Sequence, residues 1–119
     1  MTTPLTVKQL RCLELSAIIR EGLPEIDLEM SDYRNYCGTA ACIAGLACAV
    51  YDRRTWEANE GGDIHDSAGD LLGLTRIQAG QLFAPWVFGG PGPDEITSDM
   101  AASVLANLAI TRKVEWPET

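Results

Sequence analysis

The chain is short of positive charge. Nine Lys and Arg stand against seventeen Asp and Glu, a formal net charge of −8. A phosphate backbone calls for clustered cations, so this balance argues against a nucleic-acid partner. It argues equally against docking on anionic lipid headgroups. Long hydrophobic runs are also missing. The most apolar stretch, residues 40–50, is 11 residues long and rich in Ala, Gly and Cys. A membrane span needs about 20 apolar residues, so this stretch is expected to be a buried helix and no membrane partner is expected. Residues 1–9 hold no apolar core of the kind a secretory leader needs, which points to a cytoplasmic protein with reduced thiols.

The motifs that announce common chemistries are absent as well. There is no phosphate-binding G-x-x-x-x-G-K-[ST], no dinucleotide-binding G-x-G-x-x-G and no G-x-S-x-G. Cys12, Cys37, Cys42 and Cys48 are separated by 25, 5 and 6 residues. That spacing fits neither paired zinc ligands nor a thioredoxin-type pair. Cys12, Cys42 and Cys48 therefore read as small buried hydrophobes. The stretch from Glu60 to Asp66 does not follow a calcium-loop pattern, so no metal and no cofactor is expected.

What is present suits one globular domain over residues 1–119, with 46% hydrophobic and 22% charged residues. The expected fold is mainly α: a bundle of about five helices around a buried small-residue helix at about 40–51, with at most one or two short extended segments. Thr6 and Gln9 form a capping box for a first helix, in which Val7, Leu10, Leu13, Ala17 and Ile18 make the apolar stripe and Lys8, Arg11 and Glu14 face outward. Gly22 and Pro24 stop it. Ile26, Leu28 and Met30 alternate with Asp27 and Glu29, as in an extended segment, and no convincing second strand follows. Thr39 is expected to cap the central helix, whose Ala and Gly residues let neighbours approach closely. Residues 53–62 read as a loop and Asp63 as the cap of a short helix ended by Gly73. Thr75 and Gln78 open another helix through Phe83, which Pro85 stops. Thr97 caps a last helix with Met100, Val104, Leu105 and Leu108 on one face, and Trp116 packs back on the bundle.

Three places are candidates for function. Cys37 just before a helix start would feel the positive end of the macrodipole, which favours a thiolate. The Cys37-Gly38 pair resembles the helix-start Cys-Gly of papain-like and bacteriocin-processing cysteine peptidases. His65 is the single histidine, so a Cys–His dyad must be Cys37 with His65, although no sheet is available to carry the orienting group of those enzymes. The N–H groups at Gly38 and Thr39 would suit a small anionic ligand. The third candidate is an interaction surface. It combines an acidic group before the central helix, including Asp27, Glu29 and Asp32, with a second group of Glu57, Glu60, Asp63, Asp66 and Asp70. The aromatics Phe83, Trp86 and Phe88 ahead of Gly89-Gly90 are interface anchors if exposed, or the lid of the core if buried. A protein-interaction function with a basic protein partner is the main expectation, ahead of a cysteine-dependent enzyme and an anion binder.

The motif running from Tyr36 through Cys-Gly-Thr-Ala-Ala-Cys-Ile-Ala to Gly45, with Leu71-Leu-Gly-Leu-Thr75, Gln78-Ala79, Leu82-Phe83, Ile96-Thr97 and Lys113 through Trp116, resembles a family of small uncharacterised bacterial and phage proteins. The resemblance spans about residues 28–116. It implies a phage connection and transfers no catalytic residue.

Overall fold

Backbone capping decides where most helices of this protein begin. In a computed structural model, residues 5–22, 26–30 and 40–116 are described. The helix α1, Val7–Glu21, starts at the Thr6 capping box: Thr6 Oγ1 accepts from Gln9 N at 3.1 Å, and Gln9 Oε1 accepts from Thr6 N at 2.8 Å. It ends at Gly22, whose φ of 84° a side chain would resist. Asp27–Leu28 (β1) and Ala40–Ala41 (β2) form a two-residue parallel ladder. The remaining α-helices among the described residues are Ile43–Tyr51 (α2), Arg53–Ala58 (α3), Gly61–Leu72 (α4), Arg76–Phe83 (α5) and Ser98–Thr111 (α6). The fold is mainly α, as composition and periodicity predict.

The α2 helix is the centre of the core. Every residue from Ile43 to Ala49 is buried. With Ala and Gly at Ala44, Gly45, Ala47 and Ala49, its surface is nearly smooth, and α4 and α3 pack closely on it. Ile64 and Ala68 of α4 and Trp56 of α3 close over it. Beside this layer, α1 and α6 form the most extensive helix pair. Gln9 Nε2 donates to Ala109 O at 2.8 Å, Ser16 Oγ to Ala102 O at 2.5 Å and Arg20 Nη2 to Ser103 Oγ at 3.1 Å. These partners run in opposite directions along the two helices, so the pair is antiparallel. Small side chains at Ser16, Ala101 and Ala102 permit the close approach.

Several expectations are corrected here. Val7 is 64% exposed, Leu10 52% exposed, and Ala17 is exposed too. The buried face of α1 is Cys12, Leu15, Ser16 and Ile19. The helix has two apolar stripes, and periodicity alone does not choose between them. The bonds that Gln9, Ser16 and Arg20 make to α6 set the rotation. Arg11, expected outside, is half-buried and donates to Leu71 O at 3.0 Å.

The central helix begins at Ile43 and not at residue 40, because Ala40 and Ala41 are spent pairing with β1. The extended segment thus has a partner after all. Its alternation holds: Met30 is buried, Ile26 and Leu28 pack against the core, and Asp27 is exposed.

Residues 53–62 are not a loop. Asp52 caps α3 by accepting from Thr55 N at 3.3 Å, Trp56 is drawn into the core, and Asn59 ends the helix in the left-handed region at φ 52°. The next helix follows at Gly61, with Glu60 at its cap and Asp63 inside its first turn. Burial of Trp56 outweighs the polar character of the stretch. Other expectations hold. Gly73 closes α4 at φ 72° with Leu74 N donating to Gly69 O at 2.8 Å. Thr75 with Gln78 and Thr97 cap α5 and α6. Trp116 packs on the core and donates from Nε1 to Gln81 O at 2.8 Å.

Candidate functional site

The turn after α5 carries the exposed aromatics. Ala84 ends that helix ahead of Pro85, which has no N–H to continue it. Residues Pro85–Phe88 wind into one tight 3-10 turn. Pro85 is buried, and its carbonyl accepts from Gly90 N at 2.9 Å, so the turn is closed back on its own start. A Cβ on Gly90 would meet that carbonyl oxygen at 3.0 Å, so a larger residue would crowd the closure. Trp86 tucks its ring against the core, half-buried. Val87 and Phe88 are left outside at 70% and 55% exposure. Phe88 nonetheless touches the body of the protein: a Cβ built on Gly80 would lie 3.0 Å from its Cε2, so the ring rests over the bare backbone of α5.

The three aromatics singled out by sequence therefore separate. Phe83 is buried at 3% exposure and belongs to the core, which corrects its assignment to an interaction surface. Trp86 is a support, and Phe88 is presented. Val87 escapes a reading by sequence, because an aliphatic residue between two aromatics gives no signal of its own. The presence of Gly80 five residues after Thr75 is the only sequence hint of where the Phe88 ring lies.

Acidic side chains are exposed elsewhere on the surface. Asp63, Asp66 and Asp70 share one face of α4, at i, i+3 and i+7, and all are exposed. Glu57 and Glu60 are exposed beside them in the chain, as is Asp27. Glu29 is half-buried, and its N–H donates to Ala41 O at 2.8 Å. Asp32 lies outside the described residues. Asp52 serves the fold. Its Oδ2 accepts from both Thr55 and Ser67 hydroxyls at 2.6 Å, and these bonds hold its carboxyl below the ordinary carboxylate range. No group of His, Cys, Asp and Glu among the described residues has the geometry of a metal site.

Cys37, Gly38 and Thr39 also lie outside the described residues. The helix expected to activate Cys37 and to offer N–H groups at Gly38 and Thr39 starts at Ile43, beyond the two strand residues Ala40 and Ala41. The residue at that helix start is Cys42. Backbone N–H groups of Gly45 and Ala44 favour its thiolate, yet burial dominates and pushes its pKa up to about 11. Burial does the same to Cys12 and Cys48, each raised to about 11. Their sulfurs lie 3.7 Å from Leu72 O and 3.6 Å from Ile64 O, as buried weak donors. All three are core residues, as expected. His65 sits within α4, half-buried, edge-on to Phe83 with ring centroids 5.3 Å apart.

No family model, curated protein or solved structure matches this chain. No helix among the described residues is long and apolar enough to cross a membrane.

Proposed function

We propose that this protein is a protein-interaction module that presents Val87 and Phe88 to a partner with an apolar socket and a basic rim. The observation that carries this reading is the exposure of these two large side chains on a turn that is itself locked, by buried Pro85, by the Gly90 bond to its carbonyl and by the seat of Phe88 over Gly80. An anchor that is already ordered loses little conformational entropy on binding. Exposed Asp94 and Glu95 follow in the chain, and the acidic face of α4 adds long-range attraction for a cationic partner.

The test is capture from a lysate on immobilised protein, compared between the native chain and Val87→Asp or Phe88→Ser. Both positions are exposed, so both variants should melt like the native protein. A partner that the native chain retains at low salt, that high salt weakens and that both variants lose supports the reading. Capture that is unchanged by both substitutions overturns it.

A further inference from the structure

A cavity of about 350 Å³ lies where α1 and α5 begin and α6 ends. It is at the small end of the range of ligand pockets, which start at about 300 Å³. Its apolar wall includes Leu72, Leu74 and Leu108, and the cations Lys8 and Arg112 line it together with one acid, Asp70. Two cations to one acid reverse the balance of a chain with nine bases and seventeen acids. Neither the Lys8 ammonium nor the Arg112 guanidinium makes a hydrogen bond or ion pair among the described residues. Both residues are exposed, with the Lys8 stem and the Arg112 backbone each packed against a neighbour. The Lys8 stem crosses Gly73 so closely that a Cβ there would meet Lys8 Cδ at 3.0 Å. Arg112 is fixed in the left-handed region at φ 63°, its carbonyl accepting from Gln78 Nε2 at 2.8 Å.

We infer that this cavity is a binding site for a small organic anion, with a carboxylate or phosphate head between Lys8 and Arg112 and an apolar body against the leucines. Gln9 and Gln78 donate their amide N–H groups to the Ala109 and Arg112 carbonyls, so two of the carbonyls at the end of α6 already have partners. An occupant with a charged head alone would leave the apolar wall unused, and one without charge would leave the two cations with only Asp70 as a counter-charge in the lining.

Amide-resolved NMR titration at constant ionic strength tests this, with benzoate as the anionic probe and benzyl alcohol as its neutral match. Benzoate should give saturable shifts at Gln9, Gly69, Gly73 and Ala109 and bind at least about tenfold more tightly than benzyl alcohol. The double variant Lys8→Gln with Arg112→Asn should weaken benzoate by about tenfold and leave benzyl alcohol unchanged. Asn tolerates the left-handed backbone at 112, and the amide spectrum itself reports whether the variant is folded. Lys8→Gln alone, in the helix's first exposed turn, should give part of the same loss. Shifts spread over other residues, equal affinity for the two probes, or affinity indifferent to both variants would each overturn the inference.

Discussion

Gln9 and Gln78 occupy equivalent positions at two different helix starts and bond to the same helix end. Each side-chain oxygen accepts from its own cap, Thr6 N at 2.8 Å and Thr75 N at 3.0 Å. Each amide nitrogen donates at 2.8 Å to a carbonyl at the C-terminus of α6, that of Ala109 or Arg112. One side-chain type thus satisfies an orphan donor and an orphan acceptor from two separate helices. Three helix ends are joined in this way.

Glutamate is an equally good capping-box residue but has no N–H to give. Gln9→Glu and Gln78→Glu should each lower stability by about 1 kcal/mol, through loss of the bond to α6 and repulsion of its carbonyl. Part-buried Gln9 should show the larger effect. Denaturant titration of the two variants checks this. Full native stability in both would mean that the caps act locally and the α6 bonds contribute nothing.

Gly80→Ala separates folding from binding. Alanine is favoured over glycine inside a helix by up to about 1 kcal/mol, and the obstruction it meets is the far edge of the exposed Phe88 ring. The melting temperature should hold or rise while Phe88 is displaced from its seat. Capture of a partner through Val87 and Phe88 should weaken in the same variant. Unchanged capture would show that the seat of Phe88 plays no part in presentation.

Asp52 links α3 to α4 through Thr55 and Ser67. Asp52→Ala should cost about 1–2 kcal/mol, with Asp52→Asn intermediate because it keeps one acceptor oxygen. The native carboxyl has a lowered pKa, so its contribution is present above the ordinary value of 3.8 and is lost as pH falls through the folded value. The stability gap between the native chain and Asp52→Asn should therefore narrow on acidification below about pH 4. A gap that does not depend on pH would contradict the charged role.

Three core thiols have pKa values raised from 9.0 to about 11. A raised thiol keeps its proton in the folded state while the unfolded chain loses it. The stabilising effect is complete below pH 9 and disappears between pH 9 and about 11. Thermal melts should decline over that window, less steeply in Cys48→Ala. Alkylation of the native protein at pH 8 should spare Cys12, Cys42 and Cys48, and all of them should react in denaturant. Fast native labelling of any of the three would show that the core opens there.

The two capping boxes are legible, because a capping box is a contact within four residues of chain, whereas the caps expected at Thr39 and Asp63 fall instead to Cys42 and Glu60. Thr6, Thr75, Thr97 and Gly73 act where their spacing places them. The smooth, buried α2 is legible for a related reason: a helix with no polar side has no face to give to water. The short α3 is not, because its one core residue, Trp56, lies in a polar stretch and its burial depends on α2 and α4 being nearby. Of the candidate sites, Phe83, Trp86 and Phe88 stand out as a group, and only packing distinguishes a core ring, a support and an exposed anchor.

By itself the sequence determined the helical class, the limits of α1 and α5, the start of α6, and the burial of the three core cysteines. Each of those follows from local hydrogen bonding or from residue size. Tertiary structure alone decided which stripe of α1 faces inward, that Ala40 and Ala41 pair with β1 before the central helix begins, and that Lys8 and Arg112 share a cavity. In each case the deciding contacts join residues 13 or more positions apart, beyond the reach of local hydrogen bonding.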